Sequence, residues 1–279
     1  MDIDNESFMR EIQEKLSEIV RPFQQELNRG QRLADFVKQC IRYASRDDFL
    51  RLDELLNTKL ATEVVQEEAL VECAPILERL RVNAREKVEK YRLEFIEDLT
   101  RLGNDAGLTI DIDFPRFSIL KGIDGEIAFS ERTTTINKKV LKTIDPRRIV
   151  AALVRLKKLL YGRPFNPQEY IDSLYKTYAG ICKTDNLAIG QPVPIQRFYL
   201  EYVISLQSKT FFTNMDKTKF RGYSLEQFSV DLWRYFESGI GGTSEGMLLD
   251  LKPGRNFSLW LIDSVGERQQ ISSISFKGD

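Results

Sequence analysis

CAPILERLRVNAREKVEKYRLEFIEDLTRL, residues 73–102, carries apolar side chains at intervals of four, three and four residues, repeated every eleven. Eleven residues over three turns keep such a stripe on one face of a nearly straight α-helix. The pattern therefore predicts one long amphipathic helix, which Gly103 and Asn104 end as a C-cap. The sequence assigns partner binding to six residues of this stripe, which are Leu77, Leu80, Val88, Tyr91, Phe95 and Leu99.

Helical spacing of apolar residues also fills the chain before this stretch. One stripe covers residues 5–28, where Pro22 is expected to kink or break the helix and Gly30 closes the segment. Further stripes predict helices over 33–44, over about 49–60 with Asp48 as the N-cap, and a shorter one over 62–72. Residues 1–104 are accordingly predicted to form an all-helical interaction module, a bundle or an antiparallel coiled coil.

The pattern changes at residues 103–107, GNDAG, and residues 105–279 are predicted to form a mixed α+β domain with short antiparallel strands. Strand-like alternation covers 108–113, 117–121 and 126–129, whereas capping residues predict helices over 146–161, 167–180 and from 225 to Gly239. The C-terminus predicts strands over 247–251, 257–262 and 271–276, the last two forming a hairpin. This order suggests a winged-helix arrangement, although its last helix is expected to expose Glu226, Asp231 and Glu237, which disfavours DNA reading.

Composition excludes several classes of function. The formal charge of −1 gives no global field for nucleic acid or acidic membranes, and no apolar run approaches the roughly 20 residues of a membrane span. The absence of histidine excludes Ser-His-Asp and Cys-His nucleophiles and His-ligated zinc. The three cysteines are far apart in the sequence, which predicts reduced thiols and a cytoplasmic location. The N-terminus is acidic and does not resemble a signal peptide. We expect a soluble protein with no bound metal or cofactor.

The main candidate site is a cluster of cations between Arg132 and Arg163, where ten Lys or Arg residues accompany a single acid, Asp145. A helical wheel for 147–160 places four of them on one arc of about 100°, opposite the apolar residues. The resulting stripe can neutralise phosphates without reading sequence, or dock on an acidic protein, or simply face solvent. The residues assigned to nucleic acid here are Lys138, Lys139, Lys142, Arg147, Arg148, Arg155 and Lys158.

A second cationic segment, KTFFTNMDKTKFRGY at residues 209–223, alternates aromatic residues with Lys217, Lys219 and Arg221. Aromatic rings can stack on bases while neighbouring cations hold phosphates. The alternative interpretation, which is preferred, is a loop whose phenylalanines anchor it to the core.

Motifs for catalysis are weak. Asp250 and Lys252 have the spacing of half of a magnesium-dependent nuclease site, but the tripeptide is common by chance. Asp111 and Asp113 share one strand face and could bind a hard cation, or form the wet face of an edge strand.

The hypothesis from sequence is thus a non-catalytic subunit of a cytoplasmic assembly, which docks a partner or itself through its helices and contacts DNA or RNA non-specifically. The alternatives are a pure protein adaptor and a magnesium-dependent nuclease.

Overall fold

The computed structural model describes residues 2–214 and 216–278, and its contacts divide the chain into two compact units. Unit 1 comprises Met1–Asp98 with Ala128–Arg132, and unit 2 comprises Leu99–Ile127 with Thr133–Asp279. A long helical region is followed by antiparallel sheets with helices, which confirms the predicted α+β class with an N-terminal helical module.

Unit 1 is built from helices that share one apolar core. They are α1 (Asp2–Ser45), α2 (Phe49–Leu56), α3 (Lys59–Gln66), a 3₁₀ segment (Glu68–Cys73) and α4 (Ala74–Asp105), whose last residues belong to unit 2. The buried side chains repeat every three or four residues along each helix, as amphipathic helices require. The core consists of Leu33, Phe36, Cys40, Leu52, Leu56, Ala61, Val64, Leu77 and Ala84.

The predicted break at Pro22 and the predicted end at Gly30 are both wrong, because α1 runs through the two residues without interruption. Proline removes only one backbone hydrogen bond, and the neighbouring Glu, Gln, Leu and Arg residues are good helix formers. Gly30 has open space around its Cα, so nothing forces the chain to turn there.

Helix α2 begins after Asp48 as predicted, but its cap and two other helix boundaries differ from the prediction. The Asp48 carboxylate makes no cap hydrogen bond and instead accepts one from Arg132 at 2.7 Å. Helix α4 passes Gly103 and Asn104, and the left-handed residue that closes it is Gly107 with φ +69°. The predicted helix over 62–72 is divided into the end of α3 and the 3₁₀ segment.

Unit 2 begins with a five-stranded antiparallel meander followed by a helix. The strands are β1 (Asp111–Asp113), β2 (Arg116–Leu120), β3 (Ile123–Ala128), β4 (Thr133–Ile136) and β5 (Lys139–Leu141), in that spatial order. β1 is shorter than predicted, starting at residue 111. Helix α5 (Pro146–Tyr161) then begins and ends where the sequence predicted.

The last third of the chain consists of helices and a second antiparallel sheet. Its helices are α6 (Pro167–Asp185), α7 (Ile195–Ser205), α8 (Lys209–Asn214) and α9 (Leu225–Glu237). Its strands are β6 (Val193–Pro194), β7 (Met247–Pro253), β8 (Leu259–Ile262) and β9 (Arg268–Gly278), and the predicted hairpin joins β8 to β9. β9 pairs with β6 and β7, all antiparallel, giving the sheet order β6-β9-β7.

The predicted caps of α6 and α9 are confirmed. Asn166 accepts hydrogen bonds from the backbone of Gln168 and Glu169, and Ser224 accepts one from Gln227. However, α6 continues through Gly180 to Asp185, since one glycine costs a helix interior only about 1 kcal/mol. Within the described residues, the helices are all too short or too polar to cross a membrane.

Candidate nucleic-acid interface

The sequence of helix α5 determines which of its faces packs against the core. The Asp145 side chain accepts a hydrogen bond from the backbone N–H of Arg147 at 2.9 Å, which sets the first turn. Ile149, Leu153 and Leu160 are fully buried on one face. The opposite face is therefore turned outward, and its exposed cations are Arg147, Arg148, Arg155 and Lys158.

The three lysines before α5 are also exposed. Lys138 lies in the turn between β4 and β5, where Asn137 and Lys138 have φ of +44° and +67°. The Asn137 side chain secures this turn by donating to the carbonyl of Gly122 at 2.6 Å and accepting from the N–H of Asp124. Lys139 lies on β5, which forms the edge of the sheet, and Lys142 comes directly after this strand.

These seven residues, Lys138, Lys139, Lys142, Arg147, Arg148, Arg155 and Lys158, are called the basic surface below. Within the described part of the chain, none of them forms an ion pair. The cations at the two ends of the sequence cluster differ, because Arg132 pairs with Asp48 and Arg163 pairs with Asp231. Lys157 donates a hydrogen bond to the carbonyl of Gly107 at 3.0 Å, so this lysine also has a partner within the chain.

The basic residues on α5 extend over a length that matches several phosphates of a nucleic-acid backbone. Lys158 lies eleven positions after Arg147, which corresponds to about 16 Å along the helix axis. A strand of B-DNA carries a phosphate charge about every 3.4 Å of axis, so this length matches several consecutive phosphates.

Helix α9, the last helix of the predicted winged-helix arrangement, is buried along much of its length. Contacts come from α5, α6 and β8, and the Gln227 side chain donates to the carbonyl of Leu160 in α5 at 2.8 Å. A helix covered in this way has no free face to place in a DNA groove. Any nucleic-acid contact by unit 2 must use another surface.

The expectation that Asp231 lies on the exposed side of α9 is wrong. Asp231 is fully buried, paired with Arg163, and accepts hydrogen bonds from the Tyr223 hydroxyl at 2.7 Å and the Gln227 amide at 3.0 Å. The missed signal is its spacing: Asp231 precedes the buried Tyr235 by four residues and so shares its face. Glu237 is exposed, as expected, and Glu226 is half-buried.

In the second cationic segment, the described residues include both exposed and packed aromatic rings. Phe211 packs against the rings of Phe212 and Phe220, with centroids 5.3 and 5.6 Å away, and the last two rings are each about half exposed. Tyr223 is buried, and its backbone carbonyl accepts a hydrogen bond from Tyr199. The three cations of this segment, Lys217, Lys219 and Arg221, are exposed.

The six residues assigned to partner binding on α4 contact the chain itself. Leu77 and Phe95 are buried in unit 1, and Leu99 is buried in unit 2. Leu80, Val88 and Tyr91 are half-buried. Tyr91 and Phe95 pack on Phe129 with ring centroids 5.3 and 5.2 Å away. A partner that reached these residues would have to displace the contacts that they already make.

The acidic residues weighed for metal binding are dispersed. Asp250 accepts a hydrogen bond from Lys277 at 2.5 Å, and this interaction lowers the pKa of the Asp250 carboxyl. Asp111 and Asp113 line an open cavity of about 500 Å³ on the first sheet, which also contains Arg116 and Lys138. Within residues 2–214 and 216–278, no three metal-ligating side chains come together.

No protein-family model, curated protein or solved structure matches this chain.

Proposed function

We propose that this protein is a non-catalytic subunit of a cytoplasmic multi-protein assembly, and that it holds a nucleic-acid backbone through the basic surface without reading the base sequence. The single observation that carries this proposal is a row of exposed cations on α5 that form no ion pair with any described residue. Cations at both ends of the same sequence cluster have internal partners, so the unpaired ones are concentrated on one face.

The chemistry of this surface fits phosphates rather than bases. Lys and Arg side chains on a convex helix face can contact successive phosphates, and the release of counterions then makes the affinity strongly salt-dependent. The covered position of α9 agrees with sequence-independent binding, because the helix that would read a groove is packed against α5. DNA and RNA are both compatible with such contacts.

The test is binding to DNA and RNA duplexes at rising salt, with the wild-type chain and the Arg148→Glu/Arg155→Glu variant. For B-DNA the logarithm of the affinity should fall with the logarithm of salt with a slope of about −0.9 per phosphate contacted. Four or more contacts predict a slope of about −4 or steeper, and the variant should reduce its magnitude by about 2 or abolish binding.

A charge-matched control separates the basic surface from a general effect of net charge. Lys59→Glu/Lys183→Glu makes the same change in charge at two exposed lysines outside the surface. It should leave the slope within the error of the wild type. An equal loss of binding in this control, or the absence of any binding by the wild type at low salt, would contradict the proposal.

One observation favours a second candidate, a protein adaptor that binds an acidic partner. Val140 and Leu159 lie within the same stretch and are 62% and 63% exposed. Apolar side chains interspersed among cations are more typical of protein interfaces than of a phosphate-binding stripe. Failure of nucleic-acid binding at low salt would favour this adaptor.

The cytoplasmic location is part of the proposal and is supported by the thiols. Cys40, Cys73 and Cys182 are all unpaired, and burial raises the pKa of the Cys40 thiol to about 11. Unpaired, buried thiols are typical of proteins that reside in a reducing compartment.

A further inference from the structure

The first half of α1 carries an apolar stripe that nothing else in the described chain covers. From residue 8 to residue 32 only Ile12 is partly shielded, and every other side chain is exposed. The large apolar side chains keep between 51% and 70% of their surface in solvent, and they are Phe8, Met9, Leu16, Ile19, Val20, Phe23 and Leu27. A row of this length on a helix marks an interaction surface.

This stripe is not the face by which α1 packs into unit 1. Leu33, Phe36 and Cys40 hold α1 to the core, and on a helical wheel their face is rotated by about 100° from the stripe. The stripe continues past the core contacts to Ile41, which is 63% exposed. A second helix can therefore lie along the stripe without displacing any core residue of unit 1.

Two copies of the stripe can pack on each other in antiparallel orientation, with the two-fold axis next to Val20. In an antiparallel copy whose paired residue numbers add up to 39, the central apolar residues lie opposite one another and Met9 lies opposite Gly30. The pairs are Met9 with Gly30, Ile12 with Leu27, Leu16 with Phe23, and Ile19 with Val20. Gly30 leaves an unfilled notch beside Phe23 and Leu27, where the longer Met9 side chain of the other copy fits.

The charges beside the stripe select the same antiparallel arrangement. One flank carries Glu11, Lys15, Glu26 and Arg29, and in antiparallel helices the equivalent flanks face each other. In this register the flanking positions are offset by two residues from the apolar pairs, so Lys15 of one copy lies beside Glu26 of the other, twice by symmetry. Arg29 is already paired with Glu67 of its own chain at 2.6 Å. In the single chain Lys15 is 69% exposed and is bonded only to Glu11 of its own helix, at 2.5 Å.

We propose that the occupant of this stripe is a second copy of the chain, and that residues 8–30 of α1 form an antiparallel two-helix homodimer centred next to Val20. The proposal concerns unit 1 and does not depend on nucleic-acid binding by α5. Its two-fold symmetry makes the contact closed, so it gives dimers and not filaments.

The first test is the solution mass of the full chain, measured by sedimentation equilibrium between about 1 and 100 μM. A dimer is expected, and Leu16→Asp/Phe23→Asp should convert it to a monomer because the two positions face each other. Both side chains are exposed in the single chain, so the circular dichroism of the variant should change little. The control Val140→Asp/Leu159→Asp, which changes equally exposed residues elsewhere, should stay dimeric.

The second test establishes orientation by oxidative cross-linking of variants that each add one cysteine to the three native ones, with the wild-type chain as the control. Ile12→Cys chains mixed with Leu27→Cys chains should give a mixed cross-linked dimer, and Val20→Cys should cross-link to itself. Leu27→Cys alone should not. Self-cross-linking of Leu27→Cys would indicate parallel helices and would overturn the proposal.

The third test uses the flanking charges. Lys15→Glu should raise the dimer dissociation constant about tenfold, since two symmetric contacts become repulsive. Lys15→Glu/Glu26→Lys should restore it, because the pairs are re-formed with their signs exchanged. A wild-type chain that remains monomeric at 100 μM, or a double variant without rescue, would overturn the proposal.

Discussion

Asp231 is a residue whose surroundings determine its effect on the stability of unit 2. It is fully buried, and two of its partners come from outside α9: Arg163 lies after α5 and Tyr223 before α9. The guanidinium of Arg163 also lies over the Tyr223 ring, 5.0 Å from its centroid. One carboxylate thereby joins three separate segments, and its charge is compensated by a partly exposed arginine.

Asp231→Asn should destabilise unit 2 by about 3 kcal/mol, because removal of one member of a buried ion pair leaves the other charge without compensation. Urea unfolding followed by tryptophan fluorescence measures this loss. Asp124→Asn is the matched control, since it breaks an exposed pair with Arg268 in the same unit. The control should change stability by less than about 1 kcal/mol. Equal effects of the two substitutions would show that burial of the pair is unimportant.

Among the elements, α1 exposes apolar residues that a packed helix would bury, whereas α9 buries charged residues that a surface helix would expose. Helix α1 has the apolar stripe of a packed helix, but residues 8–32 are almost entirely exposed. Helix α9 has charged residues suited to a surface, but it is surrounded by α5, α6 and β8. In both cases the pattern on the helix identifies a face, whereas the neighbouring elements decide whether that face is covered.

Pro22→Ala tests the element-scale conclusion that α1 is continuous. Alanine restores the missing backbone N–H and removes the clash with the preceding turn, so the exposed part of α1 should gain about 3 kcal/mol of local helix stability. Hydrogen exchange should then slow for amides on both sides of residue 22. If, in the wild type and in the variant, only amides after residue 22 were protected from hydrogen exchange, the helix would be interrupted at residue 22 in solution.

At the scale of the molecule, the contacts divide the chain into two compact units. Both tryptophans, Trp233 and Trp260, lie in unit 2, so tryptophan fluorescence reports on that unit alone. Far-ultraviolet circular dichroism reports on the helices of both. The predicted division into modules of residues 1–104 and 105–279 stays a prediction that these two probes can address.

Leu56→Ala should lower the stability of unit 1 by about 3 kcal/mol, because Leu56 is fully buried in its core and leaves a cavity. Unfolding followed by circular dichroism should begin earlier, while the midpoint seen by fluorescence stays unchanged. Leu174→Ala, at a fully buried position in unit 2, should shift the fluorescence midpoint instead. A common shift of both probes in either variant would mean that the units unfold together.

The site illustrates what a sequence pattern can and cannot supply. The caps at Asp145, Asn166 and Ser224 were predictable because each acts within one or two turns of its own helix. The outward direction of Arg148 and Arg155 was also predictable, since the apolar residues opposite them fix the roll of α5. Their freedom from ion pairs was not, because the acids that could neutralise them are distant in the chain.

The sequence by itself determined the α+β class, the positions of most helices and strands, and the face that each helix presents, since these follow from local periodicity and capping. Only the tertiary structure decided which faces meet. It buried Asp231, covered α9 with α5, placed the stripe of α4 against the chain and left that of α1 exposed. The physical reason is that burial depends on segments far apart in sequence, whose pairing no local period encodes.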